Sequence, residues 1–132
     1  MRRIAFGMLL LLLASCHGSG GAPRSAAEGF LDEHYVHINL EAAKQYCVGV
    51  ARFKVEEEQR LVGDQQIDAS TRRPRVSYSL VEQKDEAEDH VTFVYGAKVH
   101  FDDGGDTALR WLVTVRREDD GSWKVSNYQE FE

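Results

Sequence analysis

Two residues near the start of the chain, Asp32 and His34, have side chains suited to acid–base chemistry. They are two positions apart, so they cannot share one face of a helix. His34 falls in an apolar helical stripe, where burial can tune a histidine pKa for general-base catalysis. Three aromatic residues on predicted strands, Tyr78, Tyr95 and Trp111, could line an apolar pocket with it. The simpler interpretation is a core histidine bonded to a tyrosine or to the backbone, among aromatic core residues.

Other spacings give no support to metal or phosphate chemistry. The aspartates in residues 102–106 lack the ligand spacing of a calcium loop, because glycines fill the middle positions, and they indicate a plain turn. The sequence has neither the histidine and cysteine spacing of a zinc site nor a glycine-rich phosphate loop. We therefore predict no catalytic residues, no metal and no cofactor. One basic patch consists of Arg72, Arg73 and Arg75. It suggests either a site for an anion or acidic partner or, more simply, a solvated loop.

The N-terminal segment has the pattern of an export signal. Arg2 and Arg3 precede an apolar run that includes the leucines of residues 9–13. This run is shorter than the roughly 20 residues that span a bilayer, and it fits a secretory leader. It ends in Leu13-Ala14-Ser15-Cys16, which resembles the bacterial lipobox. The resemblance implies cleavage before Cys16 and a lipid on its sulfur. Since the next residue is not aspartate, the resemblance also favours the outer membrane.

Composition restricts the class of partner. The chain has a formal net charge of −6, and removal of a leader with two arginines makes it more negative. Nucleic acid requires a basic face, so we exclude it as a partner. Acyl chains on Cys16 would hold the protein at a membrane despite this charge. Cys47 is then left without a disulfide partner in the chain, and its apolar neighbours favour a buried free thiol.

The mature region divides into a tether and one domain. Residues 16–24 are rich in glycine and predict a flexible tether, and residues 25–132 predict the folded domain. Ser25 predicts the cap of a first helix that ends at His37. Asn39 predicts the cap of a short second helix, residues 40–46. Residues 50–62 predict a third helix, with a solvated glutamate run at 56–58 and an apolar face drawn from Val50, Phe53, Leu61 and Val62.

The strands follow from alternation of apolar and polar residues. Residues 89–118 predict a long β-hairpin with one buried face, turning at 102–106. An earlier strand is indicated by Val76, Tyr78 and Leu80, with a charged turn at residues 84–89. The last strand begins at Trp123, and its alternation shifts near residues 126–127, which predicts a bulge. Gly96 predicts a second bend.

Three helices followed by four antiparallel strands resemble the nuclear transport factor 2-like superfamily. The segments that carry the resemblance are residues 26–31, the helical residues 39–62 and the closing residues 121–128, whose Gly-Ser-Trp-Lys-Val fits a common final strand. It implies an α+β, cone-shaped fold in which a curved four-stranded sheet wraps around the N-terminal helices. A smaller cystatin-like arrangement stays open.

We therefore expect a membrane-anchored periplasmic lipoprotein, facing the periplasm from the outer membrane. Its domain would bind a small apolar ligand or an envelope partner protein without catalysis. One alternative is an isomerase- or cyclase-like enzyme in which His34 is the general base and Tyr78 or Tyr95 donates a hydrogen bond. Another is a structural envelope protein that assembles through an exposed strand edge.

Overall fold

The computed structural model of the protein describes residues 21–63 and 74–132. The helical segments are α1 (Gly21–Leu31), a π-helical turn (Asp32–Val36), α2 (Leu40–Lys44) and α3 (Gly49–Val62). The strands are β1 (Arg75–Ala87), β2 (His90–Phe101), β3 (Gly105–Arg117) and β4 (Trp123–Phe131). The strands form one antiparallel sheet in the order β1-β2-β3-β4. This arrangement confirms the predicted α+β architecture.

The central hairpin of β2 and β3 forms as the alternation predicts. Val91, Phe93 and Tyr95 are buried on β2, and they pair across the ladder with buried residues of β3. We call the face that carries them the inner face, because the helices pack on it. Phe101, at the far end of β2, is 43% exposed because it lies at the tip of the hairpin. The turn uses Gly104 at a positive φ of 105°.

The sheet ladders contain three register shifts, one between β3 and β4 and two in β1. The register of β3 against β4 shifts between Thr114 and Val115, which leaves Ser126 unpaired and confirms the predicted bulge. The second shift lies in β1, where Val81 is skipped between Leu80 and Glu82. Val81 packs close to Gly96 on the neighbouring strand. The bend predicted at Gly96 is therefore a bulge in β1, opposite a glycine that makes room for it.

The helices pack on the inner face and fill it. Phe30 and Leu31 of α1 are fully buried in one apolar cluster with Phe93 of β2 and Val113 of β3. Trp111 is only 1% exposed. This packing confirms the prediction that the N-terminal helices cover the concave side of the sheet. Burial of such large side chains stabilises the fold by roughly 1.5–3 kcal/mol each.

The first helix departs from its prediction at both ends. It already includes Gly21, the first described residue, so residues 21–24 of the predicted tether are helical and Ser25 is not its cap. The α-helix ends at Leu31, and the chain continues as a π-helical turn in which the His37 N–H donates to the Asp32 carbonyl over 2.8 Å. Such a turn adds a residue to the helical repeat and rotates the next residues about the helix axis. The predicted cap of α2 is confirmed, because Asn39 accepts from the Ala42 N–H.

Two further predictions are wrong in detail. The buried residues of α3 are Ala51 and Val55, whereas Val50, Phe53 and Leu61 are exposed. Ala51 and Val55 therefore define the packed face of α3, and the large residues predicted to form it lie on the exposed side. Residues 84–87, predicted as part of a turn, belong to β1, and Lys84, Asp85 and Ala87 pair with β2. An edge strand tolerates exposed charges on both faces.

The leader, Cys16 and the remainder of the predicted tether lie outside the described residues, as do Arg72 and Arg73. Within residues 21–63 and 74–132, no helix has the length and apolar composition needed to cross a bilayer.

Candidate functional site

A hydrogen-bonded cluster of His34, Glu58 and Tyr128, here called the His–Glu–Tyr cluster, lies at one edge of the helix–sheet interface. His34 Nε2 is 2.7 Å from one Glu58 carboxylate oxygen. The Tyr128 hydroxyl donates to the other oxygen over 2.5 Å. The Glu58 carboxylate thus accepts hydrogen bonds from both neighbours, and it links α3 to the π-helical turn and to β4.

Local structure places each member. The π-helical turn carries His34 onto the sheet, where its ring lies 5.1 Å from the Phe30 ring and 5.2 Å from the Tyr128 ring. Glu58 lies three residues after the buried Val55, on the packed face of α3. The bulge in β4 turns Tyr128 to the inner face, where it is 7% exposed. Without that extra residue, the alternation of the strand would turn Asn127 inwards instead.

The electrostatics of the cluster favour an ionised glutamate. Burial opposes ionisation of Glu58, but the hydrogen bonds from His34 and Tyr128 outweigh it and lower the pKa of the carboxyl group. Burial, followed by the bond to Glu58, raises the pKa of Tyr128 well above its ordinary value. At neutral pH the cluster therefore contains a carboxylate and a neutral phenol. The other nitrogen of His34, Nδ1, is buried and has no hydrogen-bond partner among residues 21–63 and 74–132.

The cluster opens onto a cleft of about 600 Å³. Its lining comprises His34, Tyr35, Lys54, Glu58, Tyr128, Gln129 and Glu130. Lys54 donates to the Asn127 side chain over 2.8 Å and to the Tyr128 carbonyl over 2.7 Å. Every lining side chain carries a polar or charged group, so the cleft can make polar contacts with a ligand.

Tyr78 and Tyr95 lie in a different cluster, away from His34. The Tyr78 hydroxyl donates to the Asp32 carboxylate over 2.6 Å, and the Tyr95 hydroxyl donates to Glu28 over 3.1 Å. Glu28 also accepts from Arg24 over 2.5 Å. Burial first, and then these carboxylates, raise the pKa of both tyrosines. Asp32 and His34 thus point to different clusters, as expected for residues two positions apart.

Trp111 lies in the interior between these groups. Its ring stacks on Tyr35 with the centroids 4.1 Å apart and lies 5.8 Å from the Tyr78 ring. Its indole nitrogen is buried and finds no hydrogen-bond partner in the part of the chain that the structure describes. Among the four residues predicted to line one pocket, the Tyr78 ring contacts the rings of Tyr95 and Trp111. His34 contacts none of these three residues, and its hydrogen-bond partner is Glu58.

Sequence reasoning missed Glu58 and Tyr128. Glu58 belongs to the glutamate run that predicts a solvated face, although the spacing of Ala51, Val55 and Glu58 marks one side of a helix. Tyr128 lies beyond the bulge in β4. The sequence of β4 alone does not show to which face of the sheet the bulge turns the residues after it, because a bulge is defined by pairing with the neighbouring strand. Within the residues that the structure describes, no group of three potential ligands is arranged to hold a metal ion.

Comparisons with known proteins identify the fold. No family model matches the chain, and no curated protein matches it. Thirteen chains of solved structures do match. One is a putative calcium/calmodulin-dependent protein kinase type II association domain from Thiobacillus denitrificans, with a TM-score of 0.61 and 17% identity, covering 83% of this chain and 93% of that chain.

Two more matches have related descriptions. A ketosteroid isomerase-like protein from Erwinia carotovora atroseptica has a TM-score of 0.59 and 15% identity, covering 83% of this chain and 92% of that one. An NTF-2 like protein of unknown function from Shewanella oneidensis has a TM-score of 0.57 and 11% identity, covering 82% and 94%. The chain therefore has the nuclear transport factor 2-like fold, and at these identities the likeness extends to the fold alone.

Proposed function

We propose that the chain is a lipid-anchored envelope protein of the periplasmic side, which binds a partner protein through its exterior and catalyses no reaction. The anchor rests on Leu13-Ala14-Ser15-Cys16 directly after an apolar run. Only residues 17–20 separate Cys16 from the start of α1 at Gly21. Even fully extended, so short a segment spans at most about 17 Å. The domain would therefore sit close to the membrane surface.

The filling of the domain interior is the observation that favours a partner protein over a small apolar ligand. Phe30 and Phe93 are fully buried and Trp111 nearly so, in the space where a cone would otherwise hold a ligand. Contacts with another molecule would then be made on outer surfaces. The similar domain from Thiobacillus denitrificans is described as an association domain, which supports this proposal by analogy only.

Metabolic labelling with palmitate tests the anchor. The wild-type chain is expected to incorporate label and to fractionate with membranes, and Cys16→Ser to lose both. Cys47→Ala is the matched control, since it removes the other cysteine of the chain and should leave both readouts unchanged. Label retained in Cys16→Ser, or unchanged fractionation, would defeat the proposal.

Native size tests the partner. Solubilised from its own membranes in a mild detergent, the wild-type chain is expected to run in a complex larger than a monomer in the same detergent. The same chain produced in a foreign host should run as the monomer. Identical monomeric migration from both sources would contradict partner binding.

An isomerase-like enzyme is the second candidate, and one observation favours it. The His–Glu–Tyr cluster places a partly exposed carboxylate, Glu58, at the mouth of a cleft, with a tyrosine and a histidine behind it. His34 itself fits the role of general base less well, because one nitrogen binds Glu58 and the other is buried. Incubation with a 3-ketosteroid is the test. Turnover lost in both Glu58→Gln and His34→Gln would favour the enzyme, and no turnover by the wild type would count against it.

A further inference from the structure

The face of the sheet that points away from the helices, the outer face, contains a hollow of about 530 Å³. This volume is within the range of small-molecule sites. Its floor spans three adjacent strands, where the small Gly96 of β2 lies in register between Ser79 of β1 and Arg110 of β3. The outer-face residues that line it are Ser77, Ser79, Val81, Gly96, Lys98, Ala108 and Arg110.

One wall of the hollow is apolar and is fixed by the bulge in β1. Val81 is 54% exposed, and its side chain lies over Gly96. A Cβ atom at position 96 would come within 3.3 Å of a Val81 methyl group. Gly96 therefore keeps the hollow open, and a larger residue there would close it. Together with Ala108, Val81 offers an apolar surface to a hydrocarbon chain.

The opposite side of the hollow is basic. Lys98 and Arg110 lie diagonally across β2 and β3, because Lys98 pairs with Ala108 and Gly96 pairs with Arg110. Both are exposed, and in the part of the chain that the structure describes neither forms an ion pair. Like charges placed diagonally on a sheet repel each other, and an anion bound between them would relieve that repulsion. Glu132, also at the rim, carries an opposing charge. The Asp106 carboxylate, whose pKa is lowered by its hydrogen bond from His100 and in part by Lys98, carries another nearby.

We propose that this hollow binds an anionic amphiphile, a long-chain carboxylate whose head group pairs with Lys98 and Arg110 and whose chain lies over Val81 and Ala108. A second copy of the chain is disfavoured as occupant, since a twofold contact would bring the same two cations of each copy together. The inference goes beyond the proposed function, and it does not depend on the lipid on Cys16.

Photolabelling of the full chain in phosphatidylcholine vesicles tests the proposal. The probe is a diazirine-bearing fatty acid, present in trace amounts and competed with laurate, and adducts are located by mass spectrometry of peptides. We expect adducts on the outer-face residues of β1, β2 and β3. The double variant Lys98→Gln, Arg110→Gln should require roughly tenfold more probe for equal labelling. Glu132→Gln, which removes a rim carboxylate, should require less.

Two controls decide the outcome. Arg116→Gln lies on β3, as Arg110 does, but away from the hollow, and this variant should be labelled as strongly as the wild type. A diazirine-bearing fatty alcohol, which has no carboxylate, should label the wild type only weakly. The proposal is overturned by adducts confined to the helices, by equal labelling with the alcohol, or by labelling that the double variant does not change. Cross-links between two copies through this face would instead identify a second chain as the occupant, and would overturn it equally.

Discussion

Glu58 joins the π-helical turn, α3 and β4 through a single carboxylate. It accepts from His34 and Tyr128 and is 38% exposed, so solvent screens part of its interaction energy. We expect Glu58→Gln to lower the free energy of unfolding by about 1 kcal/mol, because a charge-assisted acceptor becomes a neutral one. Urea denaturation measures this change.

The control for that substitution is Glu57→Gln. Glu57 lies one position earlier on the same helix and pairs with Arg60 at the surface. Its substitution should leave the unfolding midpoint unchanged. If both variants unfold at the same urea concentration as the wild type, the His–Glu–Tyr cluster does not stabilise the fold.

The pH dependence of stability depends on the direction of the Glu58 shift. The pKa of this carboxyl is lower in the folded protein than in the unfolded chain. Its contribution is therefore complete above the unfolded value of about 4.3 and is lost as the pH falls through the folded value. In urea titrations between pH 7 and pH 3, the difference between wild type and Glu58→Gln should shrink on acidification. A difference that grows at low pH would contradict this assignment.

Cys47 is a buried thiol, as its sequence context predicts. It is 2% exposed, and its sulfur donates to the Ala43 carbonyl over 3.4 Å. Burial raises its pKa to about 12, so almost no thiolate is present at neutral pH. We expect a thiol reagent to label Cys47 only after unfolding, as measured by mass spectrometry, with Cys47→Ala as the unlabelled control. Rapid labelling of the native protein would show that the site opens.

At the level of elements, α1 packs against the segment after α2 through Gly29. A Cβ atom on Gly29 would lie 2.5 Å from a ring carbon of Tyr46, so the helix has no room for a side chain there. Gly29→Ala should therefore cost about 1–3 kcal/mol of unfolding free energy by urea denaturation, despite the higher helix propensity of alanine. Gly105→Ala, with open space around the added atom, is the control. Equal stability of the two variants would mean that α1 can shift without cost.

The buried face of each strand in the central hairpin was predictable from the sequence, whereas the buried face of each helix was not. The hairpin of β2 and β3 repeats every two residues, which leaves one possible buried face, and the sequence identified it correctly. In α3, large apolar residues suggested one face, but the small Ala51 allowed close packing on another. The π-helical turn depends on backbone hydrogen bonds such as that from the His37 N–H to the Asp32 carbonyl, for which the sequence has no marker. That turn decides which residues His34 meets.

An exposed edge of the sheet bears on assembly. β1 is an edge strand, and its register against β2 shifts twice, between Leu80 and Glu82 and between Asp85 and Ala87. Bulges and exposed charges on an edge oppose pairing with another strand. The other edge, β4, is partly covered, because Val125 exchanges backbone hydrogen bonds with Tyr46 and Val48. These features weigh against the alternative of assembly through strand edges.

For the whole molecule, the central claim is a filled, acidic domain held near a membrane by its N-terminal cysteine. The fold supplies the domain, and the lipobox and the few residues before α1 supply the proposed anchor. Because the chain has a net charge of −6, attachment by the protein surface alone would be unfavourable on an anionic bilayer. High salt should accordingly leave the protein on the membrane, since the proposed anchor consists of acyl chains rather than charges.

Intact-mass and N-terminal peptide analysis of the protein purified from its native membranes tests that claim most directly. The account predicts a chain that begins at Cys16 and carries a diacylglyceryl group on the sulfur. A mature chain that begins at any other residue, or a free thiol at Cys16, would contradict it.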